Sequence, residues 1–394
     1  MLKTRVGDLA IHGGPPAFQC GVHVGRPNVG DRQRLLDRID GMLDRRWLSN
    51  GGQLVRELEA RVAEIAQVEH CIAMCNGTVA LEIAIRALGL EGEVILPSFT
   101  FVASAHAFQW LGITPVFCDI GPADHCIDPA RVEELITPRT SGLLGVHLWG
   151  RPCDVEALAE IAARHRLKLL FDAAHAFGCT RRGRPIGGLG AAEIFSFHAT
   201  KFVNSGEGGA VVTNDDTLAE RIRLMSNFGF SGYDRVASVG TNGKMSELAA
   251  AMGLTSLESM DEYTADNRAN HRQYRQELAG LPGVEPMLYD ESERCNYQYV
   301  VLEIDEARTG VGRDRLVEVL HAENVFARRY FYPGCHRMEP YRTLMPDASA
   351  RLPRTEQVAA RVLVLPTGTA VGTEEIAAIC AILRLALGPG APPA

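Results

Sequence analysis

The sequence predicts an α/β protein, a mostly parallel doubly wound sheet followed by a smaller α/β unit at the C-terminal end. Short apolar runs of strand length alternate with amphipathic stretches of helical period from Cys71 to His165, and strands joined through helices pair in parallel. Two further apolar runs, Leu169-Leu170-Phe171 and Ile194-Phe195-Ser196-Phe197, have the length and bounding residues of buried strands. After Asp215 the texture changes to a glycine-rich loop, a long helical stretch and a second mixed set of elements. Ligands of an open parallel sheet bind beyond the carboxyl ends of its strands. Asp172 and Lys201, each just past such an end, are therefore candidates to face one ligand.

Taken in order, the first thirty residues are rich in Gly and Pro (Gly13-Gly14-Pro15-Pro16, Pro27-Asn28) and read as an extended arm. Leu36, Ile39, Leu43 and Trp47 then recur at helical spacing, and after Ser49-Asn50-Gly51-Gly52 a second amphipathic helix carries Val55, Leu58, Val62 and Ile65. Strands are expected at Cys71–Met74, Val94–Leu96, Val116–Phe117 and Leu143–Val146. Helices are expected over Thr78–Leu88 and Val102–Trp110, from an Asp128 cap through Leu135, and from an Asp154 cap through His165. Leu218 to Met225 reads as helix, Phe228 to Gly243 as loop, and Ser246 to Glu277 as a long helix bent or broken on the way. The remainder offers strands at Tyr299–Ile304 and Val362–Leu365, helices at Leu316–Glu323 and Glu374–Leu387, and a frayed GPGAPPA tail. The expected organisation is an arm (1–30), a large domain (31–250) and a smaller C-terminal domain that includes the long connecting helix (251–394).

Composition narrows the function classes. The chain has 394 residues, 46% hydrophobic and 22% charged, which suits a globular protein with a substantial core. A net charge of -8 argues against a dedicated nucleic-acid binder. No apolar run reaches bilayer length, the N-terminus lacks the apolar stretch of a signal peptide, and the ten cysteines form no CxxC pair. A cytoplasmic protein with reduced thiols and no metal site is the expectation.

Four features carry chemistry. Cys75-Asn76-Gly77-Thr78 lies between a strand and a helix, where a glycine and backbone N–H groups make a phosphate cradle; the same residues serve equally as a helix cap. Pro97-Ser98-Phe99-Thr100-Phe101 sets an aromatic ring at the next strand end, either for stacking or as core. Asp172 ends a buried run, which is costly without a cation unless it caps a helix. Lys201 sits among small residues behind a buried strand, where desolvation makes an amine a better nucleophile. Cradle, ring, acid and lysine together meet the needs of pyridoxal phosphate, whose ring absorbs electrons while the acid keeps its nitrogen protonated.

The stretches FDAAHAFG and FSFHATKFVNSGEGGAVVTND, with CNGTVAL and PSFTFVASA before them, resemble the DegT/DnrJ/EryC1/StrS family of sugar aminotransferases. The likeness runs from Trp47 to Pro366. It implies the fold-type I, aspartate aminotransferase-like architecture and a cofactor alternating between pyridoxal and pyridoxamine 5′-phosphate. It further implies Lys201 as the lysine that bonds the cofactor, Asp172 as the partner of the ring nitrogen and His175 beside the phenolic oxygen. Gly77, Thr78 and Ser196 would hold the phosphate, and Phe101 would stack on the ring. Asn242, in GTNGKMSE, would reach the phosphate of a neighbouring subunit, making an obligate homodimer with shared sites; the chain has Lys244 where the family usually has arginine. Arg328, Arg329 and Tyr330 match the region near the sugar nucleotide, and guanidinium groups suit a pyrophosphate, although a solvated basic edge explains them equally well.

The implied activity is transfer of the amino group of L-glutamate to a nucleotide-linked keto sugar in deoxyaminosugar or antibiotic biosynthesis. The arm and the segment RRYFYPGCHRMEPYR resemble enzymes acting at C4 of dTDP-4-keto-6-deoxyglucose. Alternatives are a 3-keto sugar aminotransferase, a cyclitol or aminoshikimate-type aminotransferase, and a cofactor-binding regulator without catalysis. The related 3-dehydratases replace the lysine with histidine, which this chain does not. A P-loop at Gly243-Lys244 fails, because Ser238 and Met245 stand where glycine and Ser/Thr are needed.

Overall fold

The computed structural model describes residues 2–388; the tail read as a frayed end lies, past Gly388, outside the described residues. Its centre is a seven-stranded sheet of β1 (His70–Met74), β2 (Glu93–Pro97), β3 (Thr114–Cys118), β4 (Thr140–Val146), β5 (Lys168–Asp172), β6 (Ala192–Ser196) and β7 (Gly209–Thr213), in the spatial order β1-β7-β6-β5-β4-β2-β3. All pairs are parallel except those of β7, which runs antiparallel to both β6 and β1. The chain steps outward from β2 to β3 and returns on the other side of β2 with β4. That reversal opens a crevice at the carboxyl ends of the strands.

The strands are sealed on both faces because their side chains alternate between two cores. Ile72, Met74, Leu144 and Leu170 join the helices Gly77–Ala87 and Val102–Trp110 on one side. On the other, Cys71 and Ala73 pack with Leu58 and Val62, while Leu143, Leu169 and Phe171 pack with Leu158 and Ile161. Helix starts follow their caps: Asp154 accepts from the Ala157 N–H, Asp215 from Leu218, and Ser246 from Ala249.

The long C-terminal helix is broken, as its sequence predicts. Glu247–Glu258 ends at Ser259, and Met260–Glu277 continues from there. Tyr263 near that break belongs to a core of the large sheet, and Tyr274 to the core of the C-terminal unit. That unit is built on an antiparallel sheet of Val284–Pro286, Val300–Ile304 and Val362–Leu365. The arm is part of it: Leu9, Ala17 and Val22 share its core, Val22 pairs with Val325, and the buried Glu323 carboxylate accepts from the N–H groups of Ala10 and Ala17.

Among the elements absent from the expected list are β7, whose apolar residues Ala210-Val211-Val212 follow directly on glycines, the three-residue strand Val284–Pro286, which ends in proline, and the mostly polar helix Pro353–Arg361. Within the loop expected at 228–243, Phe230–Gly232 and Arg235–Val236 form a short hairpin.

Candidate active site

A cavity of about 430 Å³ opens at the carboxyl ends of the parallel strands, at the place the strand order reverses. Gly77, Thr78, Phe101, Asp172, His175, Ser196, Lys201, Arg328 and Tyr330 all line it. Asp172 reaches it because β5 sits between β4 and β6, in register with Val146 on one side and Ile194 on the other. One carboxylate oxygen, Oδ2, accepts from the Ser104 hydroxyl at 2.8 Å, and Oδ1 accepts from the Ala174 N–H at 3.1 Å. No long helix follows Asp172, so a helix-capping role does not account for it.

Lys201 stands on a pinned turn. Its N–H donates to the His198 carbonyl, the Ala199 N–H to Gly206, and the Asn28 amide of the arm to the Phe202 carbonyl. The side chain is half-buried. Burial disfavours its charged form and lowers the amine to about 8, against the opposing pull of the Asp172 charge. Roughly a tenth of the amine is then neutral at pH 7, against well under a hundredth for an ordinary lysine, and the neutral form is what a nucleophile and proton carrier requires.

His175 is a neutral neighbour. Burial, and then the charge of Lys201, hold its imidazole well below the ordinary histidine range. Its ring stacks on Phe331 at 5.7 Å and lies against Tyr299 at 4.7 Å.

The helix Gly77–Ala87 starts at the cavity. Asn76 supplies the cap, its side chain accepting from the Val79 N–H at 2.8 Å. The cap therefore does not use Gly77 and Thr78, whose N–H groups find no acceptor among the described residues. A Cβ at Gly77 would stand 3.2 Å from the Ser196 Cβ, so a side chain there would push that serine back from the helix start. Two free donors, a hydroxyl and the positive end of a helix fit a phosphate group. With a carboxylate, a desolvated amine and an aromatic ring (Phe101, 56% exposed), the residues present fit pyridoxal phosphate.

Two sequence candidates lie outside this cavity. Arg329 donates to Asp314 at 2.8 Å and covers the Tyr332 ring, while Arg328 faces the cavity above Tyr330. Neighbouring residues of an extended segment point to opposite sides, so one arginine is taken up structurally. Asn242 is exposed, accepts from the Lys244 amine at 2.7 Å, and bridges to Asn227.

Several residues of the site have no counterpart among the candidates: Ser104, which orients Asp172 from behind the lining; and, in the lining itself, Tyr299 and Phe331, which flank His175, and Val24 and Gly25 of the arm. Ser104 follows Phe101 by one helical turn, a spacing that puts both at the same helix start. The arm residues leave no local signal.

A family model described as the DegT/DnrJ/EryC1/StrS aminotransferase family matches residues 30–384. A dTDP-4-amino-4,6-dideoxy-D-glucose transaminase of Shigella dysenteriae is 35% identical over 92% of this chain and 98% of its own. A GDP-perosamine synthase of Caulobacter vibrioides is 37% identical over 83% of this chain and 88% of its own. Among solved structures, DesI, crystallised in the presence of its TDP-sugar product, superposes with a TM-score of 0.93 at 54% identity, covering 98% of both chains. The Helicobacter pylori aminotransferase PseC, involved in pseudoaminic acid biosynthesis, gives 0.85 at 25% identity over 93% of this chain and 99% of its own. The fold is the fold-type I architecture expected from the motifs, and the chain belongs to the DegT/DnrJ/EryC1/StrS aminotransferase family.

Proposed function

We propose that this protein is a pyridoxal 5′-phosphate-dependent transaminase that moves the amino group of L-glutamate to C4 of dTDP-4-keto-6-deoxyglucose. The observation that carries the chemistry is the convergence of Lys201, Asp172, His175 and the Gly77–Thr78 helix start in one cavity. The likeness to DesI and to the Shigella transaminase supports the choice of a dTDP-linked sugar aminated at C4.

When bound, the cofactor supplies an electron sink for the carbon that loses or gains a proton. Gly77, Thr78 and Ser196 would hold its phosphate, Phe101 would cover its ring, and Asp172, oriented by Ser104, would keep its ring nitrogen protonated. The Lys201 amine, neutral in a substantial fraction near its lowered value, takes a proton from the amino donor's α-carbon in one half-reaction and returns one to the sugar carbon in the other. Arg328 and Tyr330 face the same cavity and are assigned to the sugar nucleotide, whose diphosphate suits a guanidinium. Arg329, already paired with Asp314, is not.

The exposed position of Asn242 agrees with a role in the cavity of a second copy, within a homodimer. All ten cysteines are free thiols, which agrees with a reducing cytoplasm. No helix among the described residues is long and apolar enough to cross a membrane.

Incubation of the holoenzyme with glutamate and a panel of dTDP-, GDP- and UDP-linked 3- and 4-keto sugars, with products read by mass spectrometry and NMR, tests this. Amination at C4 of the dTDP sugar is the expected result. Amination at C3, or of a cyclitol ketone, would replace the substrate and keep the reaction. Cofactor absorbance that does not respond to glutamate would leave a regulator.

A further inference from the structure

His175 is held by the surrounding framework through both its ring and its main chain, and those contacts restrict what its ring can do. The Trp149 backbone N–H donates to Nδ1 at 3.2 Å. A backbone N–H can only donate, so Nδ1 must be the unprotonated nitrogen, and a neutral ring then carries its one proton on Nε2. Nε2 makes no hydrogen bond to any described residue, and the ring lines the cavity.

The donor is held in an unusual way. Trp149 has φ 54 and ψ 27, left-handed backbone that is rare for so bulky a residue. Its indole is fully buried against Phe99. Its carbonyl accepts from the buried Tyr289 hydroxyl at 2.9 Å, which also lies 2.9 Å from the Tyr299 carbonyl. The next residue, Gly150, is also left-handed (φ 83), and a Cβ there would come within 2.8 Å of Asn296 Oδ1. Asn296 in turn donates to the carbonyls of His175 and Phe177, at 2.9 and 3.2 Å. A strained turn and a buried amide thus grip His175 from both its ring and its main chain.

We infer that Trp149, Tyr289 and Asn296 are positioning residues that lock His175 in the Nε2-protonated tautomer, making it a hydrogen-bond donor to the cavity and never its base. Turning the ring over would strand the Trp149 N–H. A second proton would have to sit on Nδ1, against that same N–H, and burial beside Lys201 opposes it further. Proton abstraction then falls to Lys201 alone, and any group beside Nε2 must be an acceptor. This rests on the proposed function only in naming that acceptor, the phenolic oxygen of pyridoxal phosphate; a donor there stabilises the ionised oxygen.

The test begins on the cofactor-free protein labelled with ¹⁵N-histidine. His175 is expected to show one protonated Nε2 and one bare Nδ1, unchanged across the range of about pH 5 to 8 in which an ordinary histidine titrates. Tyr289→Phe is expected to loosen Trp149 and bring either tautomer exchange or a titration. In the loaded protein the same substitution should raise the pH of the cofactor's visible absorbance change by roughly one unit, while KM for glutamate stays within about twofold. A protonated Nδ1 in the wild type, or a His175 signature untouched by Tyr289→Phe, overturns the inference. Because the labelled experiment needs no cofactor, a protein with the expected tautomer but no pyridoxal phosphate binding refutes the proposed function and leaves the tautomer lock intact. Should Tyr289→Phe fail to fold, the wild-type spectrum still decides the tautomer, and Asn296→Ser supplies the second variant.

Discussion

Two polar constellations border the same strand ends, and on paper the less reactive one looks the more catalytic. Ser98 Oγ lies 2.7 Å from His336 Nδ1, and His336 Nε2 lies 2.8 Å from Glu356 Oε1, the residue types and order of a hydrolytic triad. Yet Ser98 is 0% and His336 2% exposed. The Ser98 oxygen also accepts from the His336 N–H, and the same Glu356 oxygen also receives the Arg337 guanidinium. The serine oxygen and both histidine ring nitrogens are paired and buried, so no substrate atom can approach the would-be nucleophile. The chain is a clamp between the segment that carries Phe101 and the segment Phe331–Arg337. The Lys201 group differs in what it leaves unspent: an amine lowered to about 8, and the first-turn N–H groups of Gly77 and Thr78 and a histidine nitrogen that have no partner among the described residues, all facing a cavity. Residue types do not distinguish a site from a clamp; unused bonding capacity and access do.

The sharpest way to break that contrast is Lys201→Ala. Transamination should fall by on the order of 10⁴-fold or more in a folded protein, together with loss of the lysine-bound cofactor's absorbance. Retention of full activity would move the reaction elsewhere. Asp172→Asn should cost roughly 10²- to 10³-fold in kcat, measured at saturating cofactor so that binding and chemistry separate.

A smaller effect follows from acidity. An amine lowered to about 8 is protonated and inert below that pH and free above it. The rate at which cofactor-free protein takes up a small aldehyde at Lys201 should therefore climb about tenfold per unit below 8 and level off above it. A climb continuing to 10 would show an ordinary surface lysine.

Smallest in activity is Ser98→Ala in the clamp. Stability should drop by about 1–3 kcal/mol, because His336 is left buried with an unpaired nitrogen, while kcat changes only a few-fold. A catalytically dead Ser98→Ala with unchanged melting temperature would erase the distinction between the two constellations.

The helices and parallel strands were legible because each is announced locally. Asp154, Asp215 and Ser246 precede apolar periodicity and do cap the helices that follow. β7 escaped notice because its apolar run is short and follows glycines. Yet its antiparallel insertion, with Gly209 paired to both Met74 and Ser196, is what brings the helix start at Gly77 beside Ser196. Asp172 and Lys201 stood out as polar residues behind buried runs. Ser104 did not, since its bond to Asp172 spans 68 residues. The arm read only as an extended segment, and its Val24 and Gly25 line the cavity.

The sequence by itself determined the alternating α/β architecture and the chemical types gathered at one sheet edge, because strand ends, caps and the polar residues behind them are properties of short segments. Tertiary structure alone decided which of two adjacent arginines faces the cavity, how far the Lys201 amine is lowered, and which nitrogen of His175 carries the proton. Those depend on burial and on partners far along the chain, such as Trp149, 26 residues before His175. Local pattern cannot encode a contact whose other half is set by a different strand.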